Sequence, residues 1–222
     1  MLGRGPAGRG QLFWALMHER DGVQGHKREI RRLALARRAA QPDPESASLE
    51  IIGRLVQSPE YLAARTVLAY VSFRDEVSTR QFFPRAWVDG KRLAVPYCTG
   101  DRLELFLLRS FGELAPGTLG ILEPEQDLRG LADRRVGLAD LDLVVVPGLA
   151  FDPQCGRIGY GKGYYDRLLR EVPDRTALVA VAFRCQVFPE VPVLGYDVRM
   201  DQVLTEAEVY RRRQPRRSGA GG

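Results

Sequence analysis

Six short apolar runs leave this chain few ways to fold: TVLAYVSF (66–73), RLAVPYC (92–98), LELFLLRS (103–110), LDLVVVPG (141–148), ALVAVAF (177–183) and DQVLTE (201–206). Strands open to water on one face alternate polar and apolar residues, whereas strands covered on both faces read as continuous Val, Leu and Ala. Several of these runs are of the second kind. Between them lie segments with helical spacing. HKREIRRLALARRAAQ (26–41) sets Ile30, Leu33 and Ala34 on one side, and SLEIIGRLVQSPEYL (48–62) does so with Leu49, Ile52, Leu55 and Val56. STRQFFPRAWVDG (78–90) opens on the capping box Ser78…Gln81, with Pro84 expected to bend the helix or delay its start. YYDRLLREV (164–172) spaces Tyr165, Leu168, Leu169 and Val172 at i, i+3, i+4 and i+7. Apolar strands alternating with helices predict an α/β fold, a single domain with a largely parallel central sheet flanked by helices.

No repeat or linker divides the chain, and 222 residues suffice for one substantial core. The domain is expected over residues 25–208. A Gly/Arg-rich leader (1–24) and an Arg-rich tail (209–222) read as disordered flanks, with Met17 an alternative start. No apolar run is long enough to span a bilayer, and LFWALM (12–17) is too short for a secretory segment. The chain is therefore expected to be cytoplasmic, away from membranes, and a monomer. Cys98, Cys155 and Cys185 form no CxxC pair, and only His18 and His26 accompany them, which argues against a zinc site.

The net charge of +5 suggests nucleic acid until it is located. Arg211, Arg212, Arg213, Arg216 and Arg217 carry all of it, so the remainder of the chain is balanced and no nucleic-acid partner is expected for the core. Only three of the 33 basic residues are lysine: Lys27, Lys91 and Lys162.

One of them stands in GRIGYGKGYYD (156–166), where four glycines, three tyrosines and an aspartate follow a buried strand and precede a helix. Ligands bind at such places in open α/β sheets. The dinucleotide fingerprint fails, because Tyr164 stands where its third glycine belongs. The phosphate loop of nucleotide hydrolases fails twice: Gly163 replaces the magnesium-binding hydroxyl, and the loop starts well after the strand. The chemistry outlives both patterns. Gly159, Gly161 and Gly163 let backbone amides approach an anion, the helix adds its positive end, and Arg157 and Lys162 add full charges. Asp166 could face a magnesium ion carried by phosphates, or could simply offset the helix dipole.

The longer stretch PGLAFDPQCGRIGYGKGYYDRLL (147–169) closely resembles the signature of the 5-formyltetrahydrofolate cyclo-ligase family. KREIR, YVSFRDEVST, GTLGILEP and VAFRCQVFPEVPVLGYDVRMDQVLTE are similar, in order, to further segments of that family, so the resemblance covers roughly residues 27–206. It implies an enzyme that uses ATP and magnesium to turn 5-formyltetrahydrofolate into 5,10-methenyltetrahydrofolate, releasing ADP and phosphate. The formyl oxygen is phosphorylated and N10 then attacks the activated carbon. Carried over position by position, the resemblance implies that Lys27, Arg28, Glu29, Ile30 and Arg31 bind ATP. Arg157, Ile158, Gly159, Tyr160, Gly161, Lys162, Gly163, Tyr164 and Tyr165 would join them. Lys162, Arg157 and Tyr165 would serve catalysis. Val71, Glu76 and Tyr164 would contact the folate, with Phe151, Phe183 and Gln186 as further lining. Asp166 and Asp197 would hold magnesium, with Asp201 a second choice. Plainer readings stand beside these: a solvated basic face for Lys27 and Arg31, a helix-start charge for Glu76, core packing for Tyr165 and Phe183. Another ATP-dependent ligase that activates a carboxamide or carboxylate would share every phosphate argument.

Overall fold

The computed structural model describes residues 9–117, 120–195 and 197–213. In chain order its helices are α1 (Arg9–Ala39), α2 (Pro44–Val56), α3 (Pro59–Ala63), α4 (Phe82–Val88), α5 (Gln126–Arg129) and α6 (Tyr164–Glu171). The strands are β1 (Thr66–Ala69), β2 (Arg92–Thr99), β3 (Arg102–Leu107), β4 (Leu114–Pro116), β5 (Leu122–Pro124), β6 (Leu143–Val146), β7 (Ala150–Phe151), β8 (Arg157–Ile158), β9 (Ala177–Val181), β10 (Gln202–Leu204) and β11 (Val209–Arg211). Seven of them form one sheet in the order β11-β10-β9-β6-β1-β2-β3. The five inner strands pair in parallel, and β3 and β11 close the edges antiparallel.

The continuous apolar runs are explained by period-two alternation onto two covered faces. Val67, Ala69, Leu93, Val95, Leu143, Val145, Val179 and Val181 pack with Ile51 and Leu55 of α2, Tyr61 of α3 and Phe82, Phe83 and Ala86 of α4. Their neighbours Leu68, Ala94, Val144, Val146, Leu178 and Ala180 face the other way, onto Leu168 and Leu169 of α6. Full burial of a side chain such as Ile51 or Leu55 stabilises by about 1.5–3 kcal/mol. A smaller cluster of Ile30 and Ala34 with Leu149, Ala150, Ile158 and Phe188 fastens α1 to the β7–β8 hairpin.

Several local expectations differ from the structure. The helix expected from residue 26 already runs from Arg9, so the segment read as a disordered leader is helical over 9–24; residues 1–8 lie outside those described. LFWALMHER carries good helix formers and no proline, a signal outweighed by the glycines around it. Similarly, Val209–Arg211 of the expected tail pairs with β10, while residues 214–222 lie outside those described. In α2 the buried side is Ala47, Ile51, Ile52 and Leu55, and Leu49 is exposed. Pro44 and Pro59 open α2 and α3, which splits the expected single helix in two. Pro84 delays α4, which begins at Phe82 with no side-chain cap. No helix among the described residues is long and apolar enough to cross a membrane.

Strand order places the site. From β1 the chain builds outward to β2 and β3, then returns to the other side of β1 through β6, β9 and β10. The reversal lies between β1 and β6, and ligands bind outside the carboxyl ends at such a point. Residues 70–76 leave β1 there, and the β7–β8 hairpin with the glycine loop leaves β6 there.

Candidate active site

The glycine loop is held by groups that lie outside the cleft lining. Asp152 is buried and accepts hydrogen bonds from the amides of Gln154 (2.9 Å), Gly156 (2.8 Å) and Val191 (3.0 Å), which fixes the hairpin turn. Gln186 donates to the carbonyls of Gly148 and Leu149 and accepts from the amide of Phe183. Phe151 and Phe183 are fully buried in the core. None of the three is among the residues that line the cleft, and Phe183 is core, as its plainer reading has it. Gly161 (φ +96°) and Gly163 (φ +72°) occupy the left-handed region, and Gly163 starts α6.

Around the loop lies a cleft of about 240 Å³, lined by the backbones of Gly159, Gly161 and Gly163 and by charged side chains from three segments. Helix α1 contributes Lys27 and Arg31, one turn apart. The buried Lys27 ammonium pairs with Asp197, which also accepts the amide of Leu194 (2.8 Å). Arg31 donates from Nε to the Gly159 carbonyl at 2.9 Å. Arg157 of β8 reaches Asp166 Oδ1 at 2.5 Å and the Pro147 carbonyl at 3.1 Å; its buried Nε has no partner among the described residues. Arg167 and Arg170 add two further cations from α6. Five cationic side chains and three glycine backbones thus surround one space that holds only two carboxylates, Asp166 and Asp197, an arrangement suited to a polyanion.

The residues expected for ATP divide by position. Lys27, Arg31, Arg157, Ile158, Gly159, Gly161 and Gly163 line the cleft. Arg28 and Glu29 face solvent, and Glu29 is spent on Arg32 at 2.6 Å. Ile30 is buried under the hairpin and anchors the helix. Lys162 is exposed at the loop apex, outside the cleft walls, and only its carbonyl is engaged, by Arg167 at 3.3 Å. Tyr164 reaches across to the Gly100 carbonyl (3.2 Å) and lies under the Arg167 guanidinium. Tyr165 packs against the core clusters of both sheet faces, as its spacing suggested; its hydroxyl is buried without a partner among the described residues, and burial pushes its ionisation well up. Arg167 and Arg170 were missed, although both stand within two turns of the loop in YYDRLLR.

A second constellation lies beside the first. Glu76 is not at a helix start, since α4 begins six residues later. Its Oε2 accepts the Phe73 amide (3.0 Å) and its Oε1 accepts the Tyr160 hydroxyl (2.8 Å). Burial pushes the Glu76 carboxyl above its ordinary value, with the Tyr160 hydrogen bond working the other way. Arg38, a buried residue of α1 on the same face as Lys27 and Arg31, donates to the Tyr160 hydroxyl (2.8 Å) and to Asp75 (2.9 Å). Val71 is buried just upstream in the core.

The two carboxylates expected to hold a metal do share the cleft, each paired with a cation. Among the described residues no group of three carboxylate, His or Cys side chains could hold a metal alone. Magnesium commonly takes one or two carboxylates and completes its shell with water and substrate phosphates, so Asp166 and Asp197 fit an ion that arrives with a phosphate ligand. Asp201 does not belong to this set. It precedes β10, accepts the Leu178 amide at 2.8 Å and is not among the residues that line the cleft.

Comparison with known proteins bears on the family and the fold. The model of the 5-formyltetrahydrofolate cyclo-ligase family matches residues 23–206. A probable 5-formyltetrahydrofolate cyclo-ligase of Schizosaccharomyces pombe is 30% identical over 181 residues, spanning 75% of this chain and 87% of the relative. The 5-formyltetrahydrofolate cyclo-ligase of Escherichia coli K12 is 31% identical over 180 residues, spanning 78% of this chain and 96% of the relative. Among solved structures, the NMR structure of Aquifex aeolicus 5,10-methenyltetrahydrofolate synthetase is similar with a TM-score of 0.73 and 34% identity, covering 86% of this chain and 95% of that one. The Mycoplasma pneumoniae 5,10-methenyltetrahydrofolate synthetase shares the fold with a TM-score of 0.65 at 19% identity.

Proposed function

As this chain belongs to the 5-formyltetrahydrofolate cyclo-ligase family, we propose that it converts 5-formyltetrahydrofolate to 5,10-methenyltetrahydrofolate with ATP and magnesium, releasing ADP and phosphate. The observation that carries the reading is the cleft in which Lys27, Arg31, Arg157, Arg167 and Arg170 surround the glycine backbones at the carboxyl ends of the sheet. Phosphoryl transfer asks a protein mainly for positioning and neutralisation of charge, and this cleft offers both.

The chemistry explains why two ligands must meet. An amide-like formyl oxygen is a poor leaving group at neutral pH. Transfer of the γ-phosphoryl group to that oxygen makes it a good one. N10 then attacks the formyl carbon, closing the five-membered ring, and phosphate departs with the former formyl oxygen. In this reading the loop amides, Arg157, Lys27 and Arg31 take the triphosphate, and the exposed Lys162 closes on it from the loop apex. Magnesium, when bound, supplies positive charge against the phosphate oxygens, and Asp166 and Asp197 are the groups that would hold it. Glu76 pairs with the N–H edge of the pterin, beside Val71 and Tyr164. Tyr165 lends its ring to the wall under Arg157, whose guanidinium lies 5.9 Å from the ring centre. The three free cysteines and the balanced core charge suit a monomer in a reducing compartment such as the cytoplasm.

The deciding assay follows the absorbance of the methenyl product from 5-formyltetrahydrofolate, ATP and magnesium near neutral pH. A rise that needs all three components is expected. ATP binding without product would hand the cleft to a ligase of another carboxamide or carboxylate. No product and no ATP binding would reduce the glycines to a tight turn.

A further inference from the structure

Tyr160 stands in the glycine loop between two cleft-lining residues, yet its side chain is not among the cleft walls. Its hydroxyl instead joins three segments distant in sequence: it meets Glu76, 84 residues away, and Arg38, 122 residues away. The proton directions are fixed by chemistry. A guanidinium only donates and a carboxylate only accepts, so Arg38 donates to the Tyr160 oxygen and Tyr160 donates to Glu76. Arg38 is 4% exposed, stacks 5.7 Å from the Tyr160 ring centre, and has no partner for its Nε among the described residues. Burying a guanidinium is costly unless it is well paired. Here that burial serves to anchor a tyrosine ring that is itself half exposed.

We propose that Tyr160, held by Arg38, is a positioning residue for the Glu76 carboxylate: the nucleotide loop supplies the group that orients the folate-recognising acid. The inference rests on the functional reading above. With Phe73 N–H on Oε2 and the Tyr160 hydroxyl on Oε1, rotation of the carboxylate is stopped at both ends. Each oxygen keeps a free lone pair, and the pair of oxygens presents one flat edge to two adjacent N–H donors of the pterin. Without Tyr160 the carboxylate pivots about the Phe73 amide, and the ligand must order it on binding.

The test compares Tyr160→Phe, Glu76→Gln and the double variant in full-length protein. KM is measured for both substrates, and 5-formyltetrahydrofolate affinity is measured by calorimetry without ATP. Tyr160→Phe keeps the ring but takes one partner from the buried Arg38 and from Glu76, so its melting temperature is expected to fall by only a few degrees. Its folate KM and Kd should rise about five- to tenfold, the size of one ordinary lost hydrogen bond, with the ATP KM within about twofold. In a Glu76→Gln background the same change should add nothing, because the effect passes through the carboxylate. Equal losses for both substrates, or independent losses that multiply, would overturn the proposal. Unchanged folate affinity in Tyr160→Phe beside normal wild-type turnover would overturn it alone. A wild type that neither turns over nor binds the folate would overturn the functional reading and this inference together. Because affinity is read without turnover, a wild type that binds but forms no product still decides for or against Tyr160.

Discussion

Aspartates sit at both ends of the parallel sheet, and the two ends use them differently. At the amino ends, Asp142 Oδ2 accepts the amides of Arg65 and Thr66, both at 2.9 Å, and Asp201 Oδ2 accepts the Leu178 amide. These carboxylates close gaps between strand starts. At the carboxyl ends, Asp166 and Asp197 are paired with the side chains of Arg157 and Lys27. A backbone amide cannot turn away without disrupting its strand, whereas an arginine or lysine can rotate toward a new anion. Asp142 and Asp201 are spent chiefly on backbone amides, whereas Asp166 and Asp197 hold cations that can exchange partners, Asp197 while also accepting the Leu194 amide. That division is what an α/β fold needs if its site is to accept a highly charged ligand.

The largest test of the division is Asp166→Asn. Asparagine still accepts from Arg157 but carries no charge for a metal, so kcat/KM should fall about a hundredfold with little change in unfolding midpoint. Folding loss instead of activity loss would erase the contrast. Next comes Asp142→Ala at the other end. It removes the acceptor of two amides and should lower stability by about 2 kcal/mol in denaturant titration, with turnover per folded molecule within about twofold of wild type. The smallest effect is on acid stability. Burial acts to raise the Asp142 carboxyl, but the Thr66 and Arg65 amides and nearby Arg175 outweigh it and hold it below its ordinary value. A carboxyl lowered on folding stabilises above its unfolded pKa and loses that contribution as pH falls through the folded one. The stability of wild type should therefore drop below about pH 4 more steeply than that of Asp142→Ala; parallel curves would show that the amides do not carry the effect.

The inner sheet was legible because burial on both faces writes itself into a sequence as unbroken apolar runs. The loop was legible too, since few structures want so many glycines beside a lysine. What escaped were elements set by single contacts. The β7–β8 hairpin has two residues per strand and exists through the hydrogen bonds of Asp152, which a reading for ligands passes over as part of a signature. Strand β11 leads into a run of arginines that composition assigns to solvent. In the site, Lys27, Arg31 and Arg38 share one helix face and could have been grouped by spacing alone. Their partners Asp197, Gly159 and Tyr160 lie far along the chain, and no local pattern encodes such distances. Lys162 shows the converse: a residue conspicuous in sequence that rests outside the cleft walls.

The pair between Lys27 and Asp197 spans 170 residues. A ribosome that has made the first helix must make almost the whole domain before that lysine finds its carboxylate, and β10, which completes the inner sheet, is later still. Nascent chains halted between the end of the glycine loop and this point carry the loop but lack the last wall around it. Whatever anion this cleft takes must wait for Asp197, the last of its lining residues to be made.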